Sequence, residues 1–507
     1  MSRSRLSVAE PSQANGGVSQ ANTGRSRARS NVRSGPVRPS KRLILCEDGT
    51  WLNTDGSNEK GDLSIPSNIT RLERAIKPIS SDGIPQICYY HYGVGGSGGV
   101  FSRFAGFNGA GIDEIIREGY EFICSNYTVG DEIFIFGFSR GAYTARSIAG
   151  LIDQIGVLTK DGLPYLAEIY KDVKYENDDS YRPKHPDLPF PNKPSASDPA
   201  YREQLQRRRL TILNAPIKVV GVFDTVGALG IPKIPLLTRI GLQSTTMKDY
   251  RFHDTALGNC IEFAFQALSL DERRASFTPC LWEKMEGNQT VLRQVWFPGA
   301  HANIGGSYPD QQIATITLAW MVAQCQPFLD FDLDYVIDQW EDVEDYGKHH
   351  DGQARQWSFG KIFDGVTAVY ALAGRMIRKP GRYCFVDPET GAATDEPLFD
   401  THEYIHPCVR ARFKLKGPGI EDRGIYDCKA LMDWKLVIEN EEGAKRPSIY
   451  WRARERPEKG FVGELPEAPL KPLELELLEY DRETYEYVVN PSGVRRRSVR
   501  KSRLPED

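Results

Sequence analysis

Asp131-Glu132-Ile133-Phe134-Ile135-Phe136-Gly137-Phe138-Ser139-Arg140-Gly141-Ala142-Tyr143-Thr144-Ala145 sets a β-favouring run, a glycine-flanked serine and a small-residue stretch in immediate succession. Ile133–Phe136 reads as a strand and Ala145–Ile155 as a helix, so Ser139 falls on the turn between them. Gly137 and Gly141 let so sharp a turn close without a Cβ clash, and the serine hydroxyl then projects at a helix N-terminus. Strand, sharp turn and helix in this order make a nucleophile elbow. A G-x-S-x-G string by itself carries little weight; the flanking elements give it meaning. The plainer alternative is an ordinary turn whose serine caps the helix.

Outward from this stretch the same alternation recurs. Leu43–Cys46, Ile87–Tyr92, Val219–Phe223 and Val291–Phe297 read as further strands. Ser67 or Asn68 caps a helix running toward Ile79, and Ile112, Ile115, Ile116, Tyr120 and Ile123 share one helical face. Strands alternating with helices predict an α/β fold, a mostly parallel sheet covered by helices on both faces. The expected organisation is a disordered basic tail over 1–40, a catalytic domain over 41–326, an accessory region over 327–490 and a basic tail over 491–507. Within the catalytic domain, 171–209 is proline-rich without a clear period and reads as an insertion over the sheet edge or the site. The accessory region packs on the core or forms a lid. No internal repeat is visible.

A serine becomes nucleophilic when a base takes its proton, and the base needs an acid to fix its tautomer. Asp224 follows Ile217-Lys218-Val219-Val220-Gly221-Val222-Phe223, and His301 follows Val295-Trp296-Phe297-Pro298-Gly299-Ala300. Both stand at carboxyl ends of predicted strands, where sites of open α/β sheets form, and the order Ser, Asp, His is that of α/β-hydrolases. For Asp224 the bland reading is a turn or cap residue. Among the eight histidines, His253 is the serious rival to His301. The oxyanion hole is expected from the amide of Arg140 together with Gly49 and Thr50, after the first strand. Asp48-Gly49-Thr50 also resembles an aspartyl-phosphatase motif, but Cys46 occupies the nucleophile's position. The glycine-rich Gly93–Gly99 lacks the Gly-Lys-Ser/Thr of a P-loop and reads as a mobile loop at the site edge.

The 507-residue chain is 40% apolar and 26% charged, enough to build a large core. Nine cysteines without a CxxC pair argue against a disulfide framework or a zinc site and suit a reducing, cytoplasmic setting. The start lacks the apolar core of a secretory signal, and no apolar run is long enough to span a membrane. The net charge of −4 combines a +8 segment over 1–42 and a +4 segment over 495–507 with a body of −16. Such a body repels nucleic acid, while the tails are solvated disorder or give peripheral contact with anionic surfaces. No cofactor or metal is expected, and the oligomeric state is open.

The segments CEDGTWLN, SNITRL, YGVG, GDEIFIFGFSRGAYTAR, GVFDTVGALG and PGAHANIGGSYPD resemble the α/β-hydrolase domain of type VI secretion phospholipase effectors of family 1, a domain also found in fungal proteins. They fall within residues 42–320. The resemblance implies a triad at Ser139, Asp224 and His301 and a lipid or phospholipid ester as substrate. The chain departs from bacterial members at Asn303, Ser307 and Gln266, which bears on substrate preference. The expected function is therefore a serine ester hydrolase acting through an acyl-enzyme on lipid esters. A small-molecule carboxylesterase or thioesterase uses the same machinery, and an inactive interaction module is the alternative from another class.

Overall fold

The computed structural model describes residues 40–49, 65–93, 109–178, 180–226, 256–352, 354–366, 374–386, 393–440 and 447–491. The tails over 1–39 and 492–507, Thr50, His253 and residues 94–99 of the glycine-rich loop lie outside them. Seven strands form the main sheet: β1 (Arg42–Glu47), β2 (Gln86–His91), β3 (Glu132–Phe138), β4 (Ile217–Phe223), β5 (Ile261–Ser269), β6 (Val291–Phe297) and β7 (Glu403–Ile405). Their spatial order is β2-β1-β3-β4-β5-β6-β7, and every pairing is parallel. The fold is α/β, as the alternation predicts.

Side-chain alternation splits the sheet into two covered faces. Leu45, Ile133, Ile135, Val220 and Val222 pack with helices α2 (Gly109–Asn126) and α3 (Arg140–Ile155). Ile44, Cys46, Phe134, Phe136 and Val219 join the opposite core with α1 (Asn68–Ala75) and α7 (Gln312–Cys325). Burial on both sides explains why these strands are apolar at nearly every position. Helix α7 is buried along its whole length, between the sheet and helices α8 (Leu333–Asp351) and α10 (Pro472–Glu479).

Local signals act where expected, with two differences. Ser67 caps α1 by accepting from Thr70 N at 3.1 Å. The helix stops at Ala75 rather than near Ile79, because Pro78 disfavours helix at the residue before it and Ile76 turns extended to bridge Phe331. Strand β5 is an addition to the predicted set. Its run Ile261–Ser269 carries Glu262, Gln266 and Ser269, which break the apolar pattern. Gln266 is nevertheless fully buried, with its amide bonded to Thr225, Gln294 and the Cys280 carbonyl.

Beyond residue 326 the chain contributes to the same core. Strand β7 closes the edge of the main sheet against β6 and leads into helix α9 (Pro407–Lys414). Strands β8 (Trp434–Glu439), β9 (Ser448–Ala453) and β10 (Glu464–Pro466) form a separate antiparallel sheet, whose Trp434, Trp451 and Leu465 join the core of α1 and α7. The proline-rich stretch also holds regular structure: beyond helix α4 (Leu166–Lys174), Asp198 caps helix α5 (Pro199–Arg207), which packs against α3 through buried Tyr201 and Leu205.

Candidate active site

Between β1 and β3 the strand order reverses direction, and the carboxyl ends of the neighbouring strands carry polar residues. This is where open α/β sheets leave a crevice for ligands. Ser139 follows β3 at φ 60 and ψ −119, a backbone that side-chain-bearing residues adopt only under constraint. The constraint is packing. A Cβ on Gly137 would sit 2.4 Å from the Gly141 carbonyl oxygen, and one on Gly141 would sit 2.2 Å from that of Glu47. The two glycines thus let the elbow fold against itself and against the end of β1. Ser139 opens α3 but makes no side-chain cap bond, so the plain capping role is not what its hydroxyl performs.

The Ser139 hydroxyl instead meets His301 Nε2 at 2.7 Å, and His301 Nδ1 meets Asp224 Oδ2 at 2.6 Å. His301 begins the short helix α6 (His301–Gly305) directly after β6, and Asp224 follows β4. Register brings them level, since Phe138 lies opposite Phe223 and Ser269 opposite Phe297. Phe138 and Phe277 flank the imidazole with ring centroids 4.8 and 4.9 Å away, and the His301 backbone N–H donates to Glu272 at 3.2 Å. Glu272 is itself held by Arg274.

Charge follows from these contacts. Burial alone would raise the Asp224 carboxyl, but the Arg378 guanidinium and the His301 hydrogen bond outweigh it and hold the group at about 2. Asp224 also accepts from Ser269 N at 3.0 Å. For His301, burial lowers the pKa below the ordinary imidazole value, and the Asp224 pair opposes that fall. An ionised Asp224 requires the proton on Nδ1, which leaves Nε2 to accept from Ser139. The arrangement can take a proton from a serine hydroxyl at neutral pH.

The expected oxyanion donors fare differently. Arg140 is the first residue of α3, so its amide belongs to a helix N-terminus, whose dipole favours negative charge. The Gly49 N–H is directed elsewhere: it donates to Asp48 Oδ1 at 2.6 Å. Asp48 is buried and also accepts from Ser67 Oγ at 2.6 Å and Tyr90 Oη at 2.5 Å. Its short side chain folds back on the next amide, a local bond that adjacent residues form readily. Asp48 thereby ties β1 to the start of α1 and to β2.

Ser269, Glu272, Arg274 and Arg378 surround the site without having been expected there. The first three follow from β5: had Ile261–Ser269 been recognised as a strand, its carboxyl end would have pointed to them. For Arg378, in Met376-Ile377-Arg378-Lys379, no sequence signal exists. Two of the three departures from the bacterial pattern are structural. Gln266 bonds Thr225 beside the acid, and Asn303 joins the histidine loop to the later chain by donating to the Lys361 carbonyl at 2.9 Å. Among the described residues, no group of three or more His, Cys, Asp or Glu is arranged to hold a metal, and no helix is long and apolar enough to cross a membrane.

Residues 41–324, more than half of the chain, match the family described as T6SS, phospholipase effector Tle1-like, catalytic domain. The chain belongs to that family. It is also 27% identical over 258 residues to the uncharacterized protein YEL023C of Saccharomyces cerevisiae, covering 47% of this chain and 32% of that one. The chain therefore spans about a third of the yeast relative's length. Two solved structures are similar at low overall superposition. One is an uncharacterized protein from Pseudomonas aeruginosa, with a TM-score of 0.30 and 17% identity over 56% of this chain and 45% of that chain. The other is the Tle1 effector bound to the VgrG spike of the type 6 secretion system, with a TM-score of 0.27 and 19% identity over 56% of each chain.

Proposed function

We propose that this Tle1-like chain hydrolyses lipid esters through an acyl-enzyme on Ser139, with His301 as general base and Asp224 as the acid that orients it. The observation that carries the reading is the line from Ser139 Oγ through His301 to Asp224, at 2.7 and 2.6 Å, with Asp224 held ionised at about 2.

His301 Nε2 takes the hydroxyl proton as Oγ attacks the ester carbonyl carbon. The carbonyl oxygen gains the negative charge, which the Arg140 amide and the α3 dipole stabilise. The tetrahedral intermediate collapses as the carbon–oxygen bond to the alcohol breaks and His301 returns the proton to the leaving oxygen. Water then attacks the acyl-serine, again with His301 as base, and the fatty acid leaves with Ser139 restored. The lowered pKa of His301 keeps it neutral and ready as a base. The family description favours a phospholipid as the alcohol-bearing substrate.

Purified protein is tested on p-nitrophenyl esters of rising chain length and on zwitterionic phospholipid micelles, with Ser139→Ala as control. The expected result is a higher kcat/KM for chains of about eight carbons or more than for acetate, because a longer chain buries more apolar area. Fatty acid release from the micelles should depend on Ser139. A preference for acetate without phospholipid cleavage would turn the reading to a small-molecule esterase. Full activity in Ser139→Ala would remove the nucleophile.

A further inference from the structure

We propose that Arg378 is a positioning residue for Asp224, so that the active site is completed by a side chain from outside the segment that defines the family. The proposal rests on the triad reading and adds a residue to it.

Arg378 and Asp224 are both fully buried. The guanidinium donates through Nη1 to Asp224 Oδ1 at 3.2 Å and through Nη2 to Oδ2 at 3.1 Å. Nη2 also donates to the Phe277 carbonyl at 2.7 Å, while Nε is buried with no hydrogen-bond partner among the described residues. A buried cation with an unsatisfied donor is costly, and packing alone would be served better by an apolar side chain. A two-pronged Arg–carboxylate contact fixes the plane of the carboxylate, which a lysine cannot do.

The backbone places Arg378 firmly. Met376 N donates to the Arg273 carbonyl at 2.8 Å, and Ala275 N to the Gly374 carbonyl at 3.2 Å. The segment thus pairs with the chain that carries Glu272 and Arg274. On the other side, Gly381 N donates at 2.8 Å to Glu403, the first residue of the edge strand β7. Arg378 is 154 residues beyond Asp224 and lies outside residues 41–324.

Charge gives the role a distinctive readout. The pair Asp224 and His301 shares its protons, and a cation against the acid lowers the proton affinity of the pair as a whole. Among the described residues, Arg274, Glu272 and Tyr383 also act on the pair, and a change at position 378 leaves all three in place. Replacing Arg378 by a neutral residue of similar length should therefore raise the pKa that governs the acid limb of kcat/KM.

The experiment compares wild type, Arg378→Met and Arg378→Lys in the full chain. It follows kcat/KM for p-nitrophenyl octanoate and the rate of fluorophosphonate labelling at Ser139 from pH 4 to 9. Arg378→Met should move the acid limb of both profiles upward by about one pH unit or more, and lower kcat/KM at the optimum by about ten-fold or more. Arg378→Lys keeps the charge but loses the fork, so its limb should stay within about half a unit while kcat falls several-fold. An Arg378→Met limb that coincides with wild type overturns the proposal, whatever the loss in rate. If Arg378→Met fails to fold, Arg378→Lys decides: wild-type kcat in that variant also overturns it. Absence of Ser139 labelling in wild type would instead mark failure of the triad reading beneath.

Discussion

Asp224→Asn should separate activity from stability in a way that only the observed contacts predict. The carboxylate accepts bonds from His301 Nδ1, Ser269 N, Ser269 Oγ and both terminal nitrogens of Arg378. Asparagine offers one oxygen and one NH2. With the oxygen kept toward Ser269, the NH2 faces His301 and Arg378, and both present N–H groups to it. His301 then favours its other tautomer and can no longer accept from Ser139, so kcat should fall by about 10⁴, equivalent to about 5 kcal/mol of barrier. The stability cost has two sources. A carboxyl held at about 2, against about 3.9 unfolded, contributes about 2–3 kcal/mol above pH ~4, lost as pH falls through 2. Its removal also leaves Arg378 buried without its counter-charge, and breaking such a pair costs about 3–5 kcal/mol in all. Urea unfolding followed by tryptophan fluorescence measures the cost, and p-nitrophenyl ester turnover measures the rate. The double variant Asp224→Asn with Arg378→Met should be less destabilised than the two single losses added, by about 1–2 kcal/mol, yet recover no activity. Additive stabilities, or an Asp224→Asn protein with more than about a hundredth of wild-type kcat, would refute the assignment of the buried pair to the site.

A fluorophosphonate should label Ser139 alone, and Ser139→Ala with His301→Ala should lose no more activity than Ser139→Ala by itself, because the groups act as a unit. Peptide mapping and steady-state kinetics check both. Asp271 lies buried behind the histidine loop, where it accepts from Gly299 N at 2.7 Å and from Tyr426 Oη at 2.9 Å. Burial raises it to about 6, with these bonds opposing. A raised folded pKa means stability that is present below pH ~4 and lost as pH climbs through 6, about 3 kcal/mol in all. Asp271→Asn should flatten that part of a stability-against-pH curve, and an unchanged slope would reject the reading. Gly141→Ala forces a Cβ to 2.2 Å from a backbone oxygen and should cost about 3 kcal/mol or more together with most activity. Gly150→Ala, in the same helix with nothing within 4 Å, should leave activity intact and stabilise by about 0.5–1 kcal/mol in thermal or urea unfolding.

The elbow was legible because its cause is local. A turn that closes only on glycine, between a strand and a helix, is written in adjacent residues, and Gly137 and Gly141 stand where the packing demands them. The α/β class was legible for the same reason, as period-2 and period-3.6 patterns are properties of short windows. Asp224 and His301 could be nominated because each ends an apolar strand, and the fold brings the ends of neighbouring parallel strands together.

Other features depend on contacts between distant residues, which no window records. Strand β5 was hidden by Gln266, a polar residue that is tolerated in the core only because Thr225 and Gln294 meet its amide there. The direction of the Gly49 N–H was decided by the Asp48 side chain, itself held in place by Ser67 and Tyr90. Helix α1 ended early because Ile76 found Phe331 across the fold. Arg378 is the extreme case. Its own neighbours in sequence say nothing of a carboxylate, and only the pairing of residues 374–376 with 273–275 carries its guanidinium to Asp224. Sequence alone therefore determined the strand–turn–helix frame and the residue types at its strand ends, since those follow from local sterics and periodicity. Which charges meet in the buried space behind them was decided by tertiary packing, because a buried ion pair is a property of two distant positions and of the desolvation they share.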